Sequence, residues 1–306
     1  MIAPDQDWSI SLLKKVSRTF ALTIPVLPEP LRLPVATSYL LCRIADNIED
    51  HPEMEDERRE LLFDQLLAGI TGNSADFSWP GGPGNDLAVR FPAILHDFRS
   101  LPTGFQEPIS DCIREMVAGM KISTLERIPD SVCRSLPELE EYCHWVAGTV
   151  GVMLDRIFTR FIGATPDENR QETARRLGLG LQLTNILQDR NVDADRGIRF
   201  LPPGNLEPIF HQAFTRLEEG HEYALSLPVD QEGLRLFCLW ALWMAVATLE
   251  EVMLSGEKRP KISREMVEEI LAFTKEHVRE NDELFGRFRT DLERARRRLT
   301  TSEVVR

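Results

Sequence analysis

The sequence predicts an all-α protein, and three observations carry that reading. Apolar residues recur at three- and four-residue spacing along almost the whole chain, the period of a helix packed on one side. Runs rich in β-branched residues, which would mark strands, are scarce. Breaks in the pattern coincide with proline and with a Gly-, Pro-, Asn- and Ser-rich stretch, the residues that end helices. With 306 residues the chain can bury a sizeable core, as one large domain or two ordinary ones.

The elements follow in order. Residues 6–23 read as a first helix, ended by Pro25 and Pro28, and a second runs from about Pro30 to Asp50, where Pro52 stops it. Residues 54–69 are charged enough for a solvated amphipathic helix. The stretch TGNSADFSWPGGPGND at 71–86 has loop composition, but helical pattern resumes at once, so it does not mark a domain boundary. Helices are expected at about 86–99, 105–127 and 136–163, with Gly148 and Gly151 in the last permitting close helix approach. A helix at 167–192, a loop from Arg196 to Pro203, and helices at about 206–226, 231–254 and 261–298 complete the chain, with no internal repeat. Within these, FCLWALWMAVATL at 237–249 is strongly apolar but ends at Glu250 and Glu251. That is shorter than the roughly 20 apolar residues a span needs, so it reads as a buried core helix. RARRR at 294–298 reads as a solvated helix end, ahead of a weak membrane-surface contact.

Two of these helices carry a polar seam through an apolar body. In GLGLQLTNILQDRNVD, Gly178, Gln182, Asn185, Asp189 and Asp193 share one face, while Leu179, Leu183, Ile186 and Leu187 cover much of the rest. In SYLLCRIADNIED, Tyr39, Arg43, Asp46 and Asp50 share a face, with Glu49 beside them and Leu40, Leu41, Ile44 and Ile48 elsewhere. Acidic pairs four apart are common on solvated helices, where a Lys at i+4 usually accompanies them. Asp46 and Asp189 have no such lysine and sit in apolar segments. A buried carboxylate without a partner is very costly, and a bound cation is the simplest partner. Carboxylate oxygens in this arrangement suit Mg²⁺, with sites left for water and phosphate.

Composition narrows the partners. A net charge of −13 argues against non-specific nucleic-acid binding, and a phosphate-bearing substrate would need metals and local arginines to reverse the sign. Cys42, Cys112, Cys133, Cys143 and Cys238 show no CxxC spacing and read as small buried hydrophobes in a reducing compartment. The start MIAPDQDWSI lacks a secretory pattern, so a cytoplasmic protein is expected. No phosphate-binding glycine loop, dinucleotide fingerprint or zinc spacing is present, and His144 reads as a packing residue.

Several motifs, in order from about Val16 to Leu254, resemble the squalene/phytoene synthases, the head-to-head prenyltransferases. SRTF at 17–20 is similar to that family's N-terminal segment, YLLCRIADNIED at 39–50 to its first aspartate-rich motif and NILQDRNVD at 185–193 to its second. YCHWVAGTVG at 142–151 and FCLWALWMAVATL at 237–249 are similar to two further segments, and His144 leans toward squalene synthases. The resemblance implies one all-α domain over 1–306, an isoprenoid synthase-type helical bundle around a central cavity. It implies condensation of two farnesyl diphosphates to presqualene diphosphate and then, with NADPH, squalene. Its site residues would be Asp46, Glu49, Asp50, Asp189 and Asp193 around Mg²⁺ or Mn²⁺, with Ser17, Arg18, Phe20, Arg43, Gln182, Asn185, Arg196, Arg199 and Phe237 against the substrate. Tyr142 matches the tyrosine that takes the proton when the cyclopropane closes.

Two departures stand out. Gln188 replaces the usual Arg or Lys before the second motif's first aspartate, and Leu242 replaces a Gln common in the late helix. Alternative readings are a phytoene synthase using the C20 substrate, a dehydrosqualene synthase working without NADPH, a terpene cyclase, and an inactive relative serving as a scaffold. DDxxD and NSE-type motifs are absent, against the cyclase, and intact aspartates count against the scaffold. Expected partners are a prenyl diphosphate and a membrane surface for release of an oily product. Product, oligomeric state and the side to which Trp240 and Trp243 point are not legible in the sequence.

Overall fold

Side-chain caps and prolines set where the helices begin. Ser17 Oγ accepts from Phe20 N at 3.1 Å, Asp167 Oδ1 from Asn169 N at 2.9 Å, and Ser263 Oγ from Met266 N at 3.1 Å, each satisfying an N–H that the first turn leaves over. Pro30, Pro92, Pro137 and Pro208 occupy first-turn positions, where a missing N–H costs nothing. The computed structural model describes residues 12–13, 17–72, 74, 76–125, 132–255 and 257–302, with the backbone alone at Arg18, Thr124 and Leu125. Among the described residues every regular element is helical, as the sequence predicts. The chain divides into two compact units, Met1–Glu126 with Met153–Pro166, and Arg127–Val152 with Asp167–Arg306.

The first unit contains α1 (Arg18–Thr23), a 3₁₀ turn (Ile24–Val26), α2 (Glu29–Glu49), α3 (Asp56–Thr71), α4 (Asn85–Ala88), α5 (Phe91–Ser100) and α6 (Thr103–Leu125). Of the expected helix at 6–23, residues 12–13 and 18–23 are helical, and 6–11 and 14–16 lie outside the described residues. α2 is the hub, packing on α3, α5 and α6 through Leu31, Val35, Leu41, Ile44 and Ile48. The helix expected at 86–99 is two helices. Pro92 has no N–H to offer the Ala88 carbonyl, so α4 stops there and α5 restarts. The 71–86 loop is tied down from both ends: Arg99 donates to the carbonyls of Gly69, Gly72 and Ser74, and His51 bonds the Gly81 carbonyl at 3.1 Å.

The second unit contains α7 (Leu136–Cys143), a π turn (His144–Gly148), the start of α8 (Thr149–Ile162), α9 (Glu168–Asp195), α10 (Glu207–Ser226), α11 (Glu232–Leu254), α12 (Arg264–Glu276) and α13 (Asn281–Leu299). The expected helix at 136–163 is continuous but carries the π turn. α9 packs along α10 and against the π turn. A Cβ on Gly178 would stand 2.1 Å from the Ala147 carbonyl oxygen, and one on Gly151 the same distance from that of Ala174, so the backbones touch here as the glycines at 148 and 151 suggested. The helix expected at 261–298 is broken at 277–280, without glycine or proline. Arg235, fully buried on α11, explains the break: it donates to the Val278 carbonyl at 2.8 Å, bonds Asn281 Oδ1, and also holds the Leu225 and Leu227 carbonyls.

α11 is longer than its apolar run and by length and composition could cross a membrane, yet 78% of that window is buried inside the fold. It packs on α9, α10, α12 and α13, as a core helix does. Both tryptophans point to the later helices: Trp240 Nε1 donates to Thr274 Oγ1 at 2.9 Å and Trp243 Nε1 to Asp291 Oδ2 at 3.2 Å. The basic run at 294–298 is taken up in ion pairs, Arg294 and Arg298 with Glu250, Arg296 with Glu218 and Arg297 with Glu293. All five cysteines are buried.

Candidate functional site

In the first unit the site candidates gather at the C-terminal half of α2. Arg43 Nη1 stands 3.5 Å from Asp46 Oδ2, and Asp50 caps the helix through its N–H on the Asp46 carbonyl at 2.8 Å. Burial pushes the Asp46 carboxyl up to about 6, with Asp50's charge adding to the rise and Arg43 opposing it. The Phe20 ring lies 4.7 Å from Tyr39 on the same stripe, which brings the capped SRTF segment beside the aspartates. Of Arg18 only the backbone is described. Glu49 is placed apart from its neighbours. The residue is 2% exposed and its carboxylate accepts from Ser123 Oγ on α6 at 2.7 Å, so it braces α2 against α6. Tyr39, on the stripe but not counted among the candidates, sits between Phe20 and Arg43, and burial raises its phenol pKa.

In the second unit, α9 presents Gln182, Asp189 and Asp193 partly exposed and Asn185 exposed. Arg259, on the segment between α11 and α12, donates from Nη2 to Asp189 Oδ2 at 2.7 Å, with its Nε 2.5 Å from Oδ1. Its neighbour Lys258 pairs with Asp195, and Gln188 Nε2 donates to the Pro260 carbonyl at 2.6 Å. The sequence signal for this was the basic run Lys258-Arg259, but nothing in it named α9 as the partner. Tyr142, 5% exposed on α7, stacks on Phe200 at 5.1 Å, and the Arg199 carbonyl accepts from Val132 N at 2.7 Å. The loop after α9 is thereby fixed beside Tyr142. Arg196 and Arg199 are exposed on it, and Phe237 is buried on α11.

Aspartates one turn apart offer hard oxygen donors on a single helix face, the kind Mg²⁺ takes in ones and twos while substrate phosphates fill the other positions. Among the described residues no three His, Cys, Asp or Glu side chains converge, so the donor sets fit an ion completed by phosphate, not an all-protein cage. That a guanidinium already sits on Asp189 marks it as a place that draws positive charge.

The described residues thus form an all-α fold bearing two aspartate stripes, each with an arginine beside it. The squalene/phytoene synthase family model matches residues 13–208, and the chain belongs to that family. It is 32% identical over 196 residues to a squalene synthase of Schizosaccharomyces pombe, covering 62% of this chain and 43% of that one. It is 29% identical over 190 residues to a presqualene diphosphate synthase of Botryococcus braunii, covering 62% and 46%. A Dictyostelium discoideum squalene synthase is 32% identical over 213 residues, covering 65% and 47%. The matched part is thus under half the length of these curated relatives. Among solved structures, a ligand complex of TcSQS has a TM-score of 0.78 at 21% identity, covering 98% of this chain and 100% of that one. A dehydrosqualene synthase with ligand has 0.64 at 22%, covering 90% and 96%. At these identities the likeness speaks for the fold.

Proposed function

We propose that the protein is a head-to-head prenyltransferase that condenses two farnesyl diphosphates to presqualene diphosphate and carries it on to squalene with NADPH. The observation that carries the reading is the pair of aspartate stripes, each with arginine at hand, in a chain of this family. On this reading residues 1–306 act as one catalytic domain. Asp46 and Asp50 of one stripe and Asp189 and Asp193 of the other hold the ions, and Glu49 braces α2 behind them. Mg²⁺ or Mn²⁺ supplies there the Lewis-acid neutralisation that lets an allylic pyrophosphate leave.

The chain's own groups do the rest. Arg18, Arg43, Arg196 and Arg199 grip phosphate oxygens through paired N–H donors, which offsets the repulsion expected from a net charge of −13. Ser17 caps the turn that carries Phe20. Gln182 and Asn185 orient phosphate or water beside the aspartates. Phe20, Tyr142 and Phe237 wall the allylic cation with aromatic faces and exclude water, and the Tyr142 phenol accepts the proton lost at ring closure. The oily product favours release at a membrane surface from a cytoplasmic enzyme.

The presqualene diphosphate synthase among the relatives supports a second reading, release of that intermediate without hydride transfer. No described element forms a dinucleotide-binding βαβ unit, and no residue here is assigned to NADPH. The test is incubation with Mg²⁺ and C15 or C20 diphosphate, with and without NADPH, and mass spectrometry of the lipid extract. Squalene from C15 only with NADPH is expected. A C15-derived diphosphate in both arms selects the second reading, and product from C20 alone overturns both.

A further inference from the structure

We infer that the segment joining α11 to α12 is a cationic latch on the second aspartate stripe, with Arg259 holding the place of a divalent ion on Asp189. The inference rests on the metal reading of Asp189 given above. Three contacts define the latch. Arg259 engages both oxygens of Asp189, Lys258 pairs with Asp195 six residues further along α9, and Gln188, just before Asp189, donates to the carbonyl of Pro260, just after Arg259. Pro260 itself offers a carbonyl and no N–H, and its ring restricts the backbone just after the two cations. Residues 258–260 are thereby drawn onto the half of α9 that carries the metal-binding candidates.

The same position explains Gln188. The resemblance implies a cation there, next to the first aspartate of the motif; this chain has an amide there and brings a cation from 70 residues away. A residue on α9 is fixed in place, whereas one on a connecting segment can leave. An ion bound to Asp189 needs the oxygens that Arg259 occupies, and its charge repels the guanidinium, so ion and latch oppose one another. Linkage makes the opposition reciprocal: the latch weakens ion binding by the factor by which the ion weakens the latch. The factor is modest. Asp189 is 26% and Arg259 52% exposed, so solvent screens the pair. Once released, Arg259 and Lys258 face outgoing pyrophosphate, which is anionic, and not a carboxylate already neutralised by metal.

The experiment measures Mn²⁺ binding without substrate, by the loss of the free-ion resonance signal, in the full chain and its variants. R259A is expected to bind Mn²⁺ about two- to five-fold tighter than the wild type, the range an exposed ion pair commands, and R259K to stay close to the wild type. Hydrogen exchange of the 255–263 amides is expected to quicken when Mn²⁺ is added to the wild type and to be fast from the start in R259A. D193N in either background is expected to remove the Mn²⁺ bound at the second stripe and to leave that held by Asp46 and Asp50. Equal or weaker Mn²⁺ affinity in R259A, with D193N still removing the second-stripe ion, overturns the latch and leaves the metal site standing. Binding indifferent to D193N overturns the metal reading and the latch with it.

Discussion

His221 lies 2% exposed between aromatic rings, stacked on Phe288 at 4.1 Å and edge-on to Trp243 at 5.5 Å. Burial, with the Arg235 charge added, pushes its pKa down from 6.5 to about 3. Between those values the unfolded chain binds a proton that the native chain refuses, so this residue's contribution is intact above pH 6.5 and is lost as the pH falls. The loss approaches about 1.4 kcal/mol per pH unit. H221F keeps the stack and removes the titration; urea unfolding at pH 4.5 and 6.5 should then show a shallower acid loss than the wild type, and an identical slope contradicts the assignment. Individual residues were legible in the sequence where helix spacing alone decides: Arg43, Asp46 and Asp50 stand together as read. Glu49 was not, because three residues on from Asp46 it is rotated off the stripe, and only the presence of Ser123 on α6 decides that it turns inward. The Arg259–Asp189 pair was not legible either, since no local rule links positions so far apart.

Most whole helices follow the sequence where a proline or a capping side chain stands at the boundary, the split at Pro92 being an exception. The break at 277–280 has none of these, and depends on Arg235 competing for carbonyls from another helix. The π turn at 144–148 was likewise hidden, because its sequence is compatible with a plain helix. It falls directly after Tyr142 and ends at the glycine contact between α8 and α9, and such turns recur at functional sites. That contact sets how α9 lies, and α9 carries Asp189 and Asp193. G178A puts a methyl group onto the Ala147 carbonyl, a backbone atom that no rotamer change can move. A loss of about 1–3 kcal/mol in urea unfolding is expected, with turnover falling alongside. G286A on α13 is the control, since nothing lies within 4 Å of the added Cβ; it should hold or raise stability. Equal midpoints for the two variants contradict the role given to the contact.

For the molecule as a whole, the all-α class and the family were legible because five motifs survive in order, and the family match at 13–208 covers four of them. Helices α10–α13 lie largely beyond that match, yet the structural likeness extends over 98% of the chain. What stayed illegible is the choice of chain length and product, which no motif in the sequence names. Trp240 and Trp243, the obvious candidates in the sequence, have their N–H groups committed to α12 and α13. The central claim is that both aspartate stripes serve one metal-dependent reaction. Its most direct test is turnover of farnesyl diphosphate with Mg²⁺ by D50N and by D193N, with helicity followed by circular dichroism. Loss of product to background in each variant at unchanged helicity is the expected result; wild-type turnover in either one contradicts the account.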